Sequence, residues 1–398
     1  MTNSYFYVDK DDNIWLAAYK DGLLFFPKQN NAITNYDCSH FGSNHIESIL
    51  IVKDNIIAGT DDNKIITVED DSLTELNLNL PRRNIINRIL DIKYINPSTY
   101  LISSDAGITY LKNGRQKQLV NTSSKRIFIN DTLVVITNFN RVYAAPLKSF
   151  IDLKQPINSN NLYTSLFKKL SNNRTYSAII DKKNNIWIGD VALGLERISQ
   201  TDTVYFRNRS NIFNATVTKI VELDNNIIAV ATNGEGIILL QNDSIFQIDT
   251  KNGLSSDICY NMSYSNNKLF ACTNRGVTII DNINFKKQSF DYSIYSKDDG
   301  LPTNEILASD FDGEKLALAT NAGISTINLN NAVKKPITNP VIIESVEVNT
   351  EKISLAEPIA LNSTENNIFF KYVSPSFKNS NKTYYTYQLE GVDDDWIR

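Results

Sequence analysis

The chain is 398 residues long, room for two domains of ordinary size, or for one large repetitive domain and part of a second. Hydrophobic residues make up 42% and charged residues 21%, and no run approaches the ~18 consecutive apolar residues of a membrane helix, so a soluble folded segment is expected. Forty basic against 44 acidic residues give a net charge of −4 without a basic tract, which argues against nucleic acid as a partner.

Cysteine and histidine usage excludes more. Cys38, Cys259 and Cys272 form no CxxC, and His40 and His45 are the only histidines. A disulfide framework, a zinc knuckle and a His-rich metal site are therefore not expected. The first nine residues, Met1 to Asp9, carry neither a basic head nor an apolar leader, so either the protein is cytoplasmic or Met1 is not its natural start.

A repeat organises most of the chain. Asn13-Ile-Trp-Leu-Ala-Ala-Tyr-Lys-Asp-Gly-Leu-Leu-Phe-Phe26 reads as an apolar strand, a turn, Gly and a second apolar strand. Copies of this grammar start at 14, 56, 100, 132, 186, 227, 269 and 316. Asn185-Ile-Trp-Ile-Gly189 followed by Gly194-Leu195 is the fullest match to the first. Each copy is preceded by another apolar run and usually followed by a fourth, and four short strands per ~42 residues describe one blade of a β-propeller. Asn and Asp fill the turns between first and second strands, where positive φ is needed. The Gly after the second strand (Gly22, Gly107, Gly194, Gly236, Gly276, Gly323) serves the same need. Helical spacing is confined to Asn161–Leu170, which predicts one helix within an insertion.

The fold class is therefore all-β, a propeller of four-stranded blades followed by a partial, immunoglobulin-like β-sandwich. The last blade supplies only three strands, at 304–311, 314–320 and 323–328, so its outer strand must come from elsewhere. If 32–36 supplies it, seven blades run from about 45 to 330, which is favoured; an eight-bladed ring using 5–26 as its own blade is the alternative. Residues 1–44 are then the end of a preceding propeller, or a first blade, with the closing strand in the first case. The propeller covers 45–333, a linker with two prolines 334–340, and a truncated sandwich 341–398, with strands at 341–348, 367–373 and 383–390.

Asn185-Ile-Trp-Ile-Gly189, the Gly-Leu pairs at 22–23 and 194–195, and the linkers Asn252-Gly-Leu-Ser-Ser-Asp257 and Asp299-Gly-Leu-Pro-Thr-Asn304 resemble the two-component-regulator propeller repeat. Tyr385, Tyr387, Leu389-Glu-Gly391 and Trp396 resemble the triple-tyrosine domain that follows such propellers in bacterial sensors, with Val392 in place of the usual aromatic. The resemblance implies a ligand-sensing, periplasmic region of a signalling receptor, homodimeric when complete. A membrane helix beyond Arg398 would lead to a histidine kinase or DNA-binding regulator, and a small molecule or oligosaccharide would be the signal. Both ends of the chain read as cuts under this expectation.

No catalytic constellation, metal cluster or Gly-rich phosphate loop is marked by spacing, so neither enzymatic activity nor a cofactor is expected of this segment. The turns between second and third strands share a face with the links between blades. They place Asp105, Arg141, Asp190, Glu235, Asn274, Arg275 and Asn321, together with Asp61, on one rim of the central channel as candidate ligand contacts. A propeller enzyme acting on polysaccharide, a lyase or hydrolase, is the alternative reading. Trp15 and Trp187 are expected to pack blades, Tyr385 and Tyr387 to pack the sandwich, and Cys259 and Cys272 to be buried apolar residues on one face.

Overall fold

The computed structural model describes the chain except residues 1–4, 10–12, 19–21, 27–31, 83–86, 139–140, 159–167, 192, 243, 333–340, 355–359, 363, 375–384, 394–395 and 398. The chain divides into two compact units, Gln29–Val333 and a second made of Met1–Lys28 with Lys334–Arg398.

Gln29–Val333 is built of seven antiparallel four-stranded sheets, blades I to VII. Their first strands are Ile46–Val52, Ile89–Asn96, Ser124–Ile129, Thr175–Ile180, Thr216–Glu222, Cys259–Ser265 and Ile306–Phe311. Each of these packs on the first strands of the two neighbouring blades, and that of VII packs on that of I, which closes a seven-bladed propeller. The fourth strand of blade VII comes from the other end of the chain. Ile33–Tyr36 pairs antiparallel with Gly323–Asn328, Ile33 opposite Ile327 and Tyr36 opposite Ile324. The eight-bladed alternative fails for this reason, and 5–26 forms a separate three-stranded sheet.

Burial follows position in the blade. Middle strands lie between two neighbouring sheets and read as continuous apolar runs, as in Ile228–Asn233 and Ile237–Gln241, whose residues are nearly all buried. The outer strand Ser244–Ile248 alternates instead, with Phe246 and Ile248 inward. The turns carry the chemistry their geometry requires. Lys53–Asp54 (φ 50° and 69°) and Asn266–Asn267 (φ 50° and 60°) occupy the left-handed region at both central positions of two-residue hairpins. Gly107 (φ 136°) and Gly323 (φ 107°) open third strands where a Cβ would stand 1.8 Å from the Val120 carbonyl oxygen and 2.2 Å from that of Tyr36. Both the dihedral and the close passage of the outer strand exclude a side chain there.

The Asp-x-x-x-Asn-Ile-Trp segment is a hydrogen-bonded clasp. Asp181 accepts from the Asn185 backbone N–H at 2.7 Å, from Asn185 Nδ2 at 2.8 Å and from Trp187 Nε1 at 2.8 Å. Asp9 holds Asn13 and Trp15 in the same way, with Trp15 Nε1 at 3.0 Å. Trp187, 5% exposed, stacks on Phe206 at 5.4 Å, in the packing role expected of it.

Two local expectations change. Of the helix expected at 161–170, residues 161–167 lie outside the described ones, and Lys168–Ser171 is the outer strand of blade III, paired with Arg141–Pro146. A short helix forms instead at Leu147–Ile151, seating Phe150 in the core. Cys259 and Cys272 are buried and unbridged, but they join different hydrophobic clusters, Cys259 beside Met262 and Cys272 beside Phe311, not one face.

In the second unit, Ile342–Val348 pairs with Glu351–Ile353 and Ile368–Val373. The strand expected at 383–390 falls partly on residues outside the described ones, and 385–390 contribute only a bridge between Tyr387 and Ile397. Tyr385 packs edge-on against Tyr372 at 4.9 Å, and its hydroxyl accepts from the Ser374 backbone N–H at 3.0 Å. Tyr387 and Trp396 are exposed, so the packing role expected of both tyrosines holds for Tyr385 alone. The linker at 334–340 lies outside the described residues.

Two outcomes are expected. Trp187→Ala will lower unfolding free energy by about 3–5 kcal/mol in denaturant titration, through the cavity it leaves. Deleting residues 1–37 will expose the edge of Gly323–Asn328 and replace a single cooperative melt by aggregation on heating, whereas deleting 1–28 will leave the ring cooperative.

Candidate functional site

A β-bulge recurs at the same place in every blade. Where the first strand begins, its pairing with the second skips one residue: Glu47, Leu90, Lys125, Tyr176, Thr218, Tyr260 and Leu307 in turn. A bulge adds a residue that the ladder cannot pair, and it turns that side chain out of the sheet's alternation. The burial pattern records this. Tyr176 is half-buried between buried Thr175 and Ser177, and Tyr260 between buried Cys259 and Asn261. Because first strands line the channel, the bulges ring its mouth on the face of the links between blades.

The mouth is electrically two-sided. On blades II to IV, Arg88 clamps Asp105 through its backbone N–H at 3.0 Å, Nε at 2.9 Å and Nη2 at 3.1 Å. Lys125 Nζ lies 3.9 Å from the centroid of the Tyr176 ring, and Arg174 donates to the Tyr176 hydroxyl at 3.2 Å. Burial, then the positive charges of Arg174, Arg88 and Arg126, push the Lys125 ammonium down to about 8. Burial works against the charge of Asp105, but the Arg88 hydrogen bonds hold its carboxyl below the usual range. On blades VI and VII, Asn321 Nδ2 donates to Glu305, while burial and then the Glu305 charge raise the Tyr260 hydroxyl.

The expected rim residues divide. Asp105 and Asn321 stand in these two clusters. Glu235 accepts from Gln247 Nε2 at 3.3 Å, Arg141 donates to the Tyr143 hydroxyl at 3.2 Å, and Arg275 is exposed. Asn274 Oδ1 is enclosed and accepts no hydrogen bond. Asp190 is corrected: it is 0% exposed, ends the second strand of blade IV and accepts from the Leu193 backbone N–H at 2.7 Å. It occupies the position where other blades place a hydroxyl that bonds to the turn, as Thr273 does to the Gly276 carbonyl at 2.8 Å. Its role is in the turn and not on the rim. Arg88, Lys125, Arg174, Tyr176, Tyr260 and Glu305 were missed because they lie outside the turns between second and third strands. The available signal was a residue that interrupts the alternation at each first strand, as in Thr175-Tyr-Ser-Ala178.

On the opposite face, a cavity of about 290 Å³ lies between blades V and VI, with Leu223, Ile227 and Ile283 as apolar walls and Tyr264 donating to Asp224 at 2.8 Å. Among the described residues no group of three or more His, Cys, Asp and Glu side chains could hold a metal, and no helix is long and apolar enough to cross a membrane.

The comparisons agree on architecture. No protein-family model matches the chain. It is 24% identical to histidine kinase P4 of Formosa agariphila over 96% of its own length and 28% of that protein's. The extracellular domain of BT3049, a hybrid two-component system of B. thetaiotaomicron, superposes with a TM-score of 0.67 at 18% identity, over 99% of this chain and 55% of that one. Virginiamycin B lyase of Staphylococcus aureus shares the propeller with a TM-score of 0.57 at 12% identity, over 75% of this chain and 99% of that one. The chain is a β-propeller similar to the extracellular domains of two-component sensors. It spans about a quarter of the curated relative and about half of the solved receptor domain.

Burial also sets a pH dependence. Glu196, 4% exposed, is pushed up to about 7, first by burial and then by the neighbouring Asp190 carboxylate. The folded chain holds this proton more tightly than the unfolded one, so the associated stability is complete below the ordinary Glu range and lost as pH rises through about 7. Denaturant titrations at about pH 5 and about pH 8 will show wild type losing roughly 1–3 kcal/mol more than Glu196→Gln over that interval.

Proposed function

We propose that this chain is the ligand-sensing extracytoplasmic region of a bacterial two-component receptor and that its signal, an oligosaccharide, binds at the bulge-lined channel mouth. One observation carries the reading: the same bulge recurs in all seven blades, and in five of them it carries a charged, aromatic or hydroxyl residue, Glu47, Lys125, Tyr176, Thr218 and Tyr260. Bulges that re-aim side chains are a recurring device at binding sites. Tyr176 and Tyr260 offer faces for sugar rings, and Glu305 and Asn321 offer partners for hydroxyls. The likeness to a histidine kinase and to receptor extracellular domains supports the sensory class.

Each blade buries its faces against two neighbours, so the ring is stiff and binding is reported as a shift between domain arrangements. Residues 341–398 would pass this shift, in a homodimer, to a membrane helix and a kinase or regulator outside this chain. The segment binds its signal without turning it over.

The test is a glycan array with the purified chain, followed by calorimetry on any ligand found. Tyr176→Ala or Tyr260→Ala will weaken binding about tenfold or more, and Tyr264→Ala on the opposite face will leave it unchanged. Binding that survives both mouth substitutions overturns the site, and product formation from a bound glycan overturns the sensor reading in favour of an enzyme.

A further inference from the structure

The bulges fix the layer of side chains beneath them. The first residue to pair again after the bulge is Ser48, Asp91 and Ser177 on blades I, II and IV, and Arg126, Lys219, Asn261 and Ala308 on blades III, V, VI and VII. These positions are equivalent, so they form one layer of the channel wall just below the mouth. The first three show what the layer does. Each reaches the first strand of the next blade: Ser48 donates to the Ile89 carbonyl at 2.7 Å, while Asp91 and Ser177 accept from the Ile127 and Ile220 N–H groups at 2.9 Å and 3.0 Å. Lys219 cannot join them. An ammonium has no acceptor, so it cannot receive the Met262 N–H, the counterpart on blade VI, and Asn261 Oδ1 takes that N–H instead at 2.8 Å. Among the described residues Lys219 makes no hydrogen bond and no ion pair. A serine there would tie two blades without carrying a charge into the ring.

Two residues further along the first strands, the next layer inward adds Lys93 and Asp310, and no other charged residue stands at the positions of either layer. Three cations, Arg126, Lys219 and Lys93, thus stand against two carboxylates, Asp91 and Asp310. Both carboxylates are committed. Asp91 pairs with Lys93 at 3.2 Å besides holding Ile127, and Asp310 accepts from the Ile51 N–H at 2.7 Å. Lys93, Lys219 and Arg126 all act on Asp91, so one carboxylate answers three cations. At the bulges above, Glu47 and Lys125 add one charge of each sign and leave the difference unchanged. Cys272, which also acts on Lys219, is a thiol that burial pushes up to about 12, neutral at ordinary pH. Burial first, and then Lys93 and Arg126 against the pull of Asp91, bring the Lys219 ammonium down to about 7. Two neighbours of Lys219 in the layer retain donors. Arg126 donates to the Leu90 carbonyl through one nitrogen of a guanidinium that has five N–H groups, and the Ser177 hydroxyl, on a residue 3% exposed, donates to no described residue.

We infer that the layer below the mouth binds one monovalent inorganic anion, chloride or one like it, between Lys219 of blade V and Arg126 of blade III, with the Ser177 hydroxyl of blade IV as a third donor. The single surplus cation sets the valence, since a divalent oxyanion would reverse the imbalance. The anion joins three consecutive blades and so supplies the tie that Lys219 cannot make by itself. The site lies beneath the mouth and does not depend on what the mouth senses.

Thermal melts of the full chain test this at about 0.2 M total salt, with sodium methanesulfonate exchanged stepwise for sodium chloride so that ionic strength stays constant. At about pH 6 chloride will raise the wild-type melting temperature by about 2 °C or more, and Lys219→Met will abolish the response. Chloride affinity will fall about tenfold or more between about pH 6 and about pH 9, because the anion needs the ammonium and the proton is lost as pH rises. Lys219→Arg, whose guanidinium stays charged, will keep the response at the higher pH. Crystals soaked in sodium bromide will show an anomalous peak beside the Lys219 ammonium, a readout that needs no variant. A chloride response of equal size in Lys219→Met, a wild-type response that does not change with pH, or bromide-soaked crystals without a peak in this layer would each overturn the inference.

Discussion

Everything in the propeller depends on what happens at the inner edge of the first strands. A strand with a neighbour on one side only leaves a row of backbone groups without a ladder, and at the centre of a ring these groups are also shielded from bulk water. Side chains from the adjacent blade complete them. Asp91 accepts from the Ile127 N–H at 2.9 Å, Ser177 from that of Ile220 at 3.0 Å and Asp310 from that of Ile51 at 2.7 Å. In the opposite sense, Ser48 donates to the Ile89 carbonyl at 2.7 Å and Ser103 to that of Ser124 at 2.9 Å. These polar residues are thus hydrogen-bonded ties between blades, and they account for the carboxylates of Asp91 and Asp310 on the first strands.

The same constraint shapes the mouth. Side chains that tie first strands together must alternate inward along the strand, and the bulge interrupts that alternation where each strand begins. In four blades the residue it adds, Glu47, Lys125, Tyr176 or Tyr260, falls outside the inward alternation while its flanking residues are mostly buried; in blade II it is buried Leu90, and in blade V it is Thr218, which donates to the Cys259 carbonyl. A rigid frame with one variable position per blade suits recognition better than catalysis, because it can be re-specified without repacking the core.

The Asp-Asn-Trp clasp shows how local and tertiary structure cooperate. In blade IV it fixes a hairpin turn and carries the indole into the wedge between blades, where Phe206 and Phe213 complete the packing. In Tyr5–Phe26 the same three residues make the same bonds, and Trp15 packs on Phe25 at 4.5 Å. The bonds therefore belong to the local sequence. Blades without the tryptophan keep the strand order and register, so the clasp strengthens a blade and does not define it.

Much of the architecture was legible in the sequence because it is local and repeated: alternating apolar runs, Asn and Asp at positive φ, and a Gly wherever the outer strand passes too close for a Cβ. A repeat also predicts its own defect, and the missing outer strand of blade VII pointed to 32–36 before any pairing was known. What the sequence left open were contacts between residues far apart along the chain. Ile33–Tyr36 could have joined either partner until ring closure chose Gly323–Asn328, and the stretch expected to be a helix near 161–170 ends as a strand because blade III lacked its fourth. The candidate site was the least legible part. The repeat puts Asp190 in a turn expected at the rim and gives Tyr176, at the start of a first strand, no such place, yet the first is sealed into its turn and the second is the half-buried bulge residue. Only the pairing register, which skips a residue in each blade, separates them, and register is set by packing between sheets and not by the sequence of either strand alone.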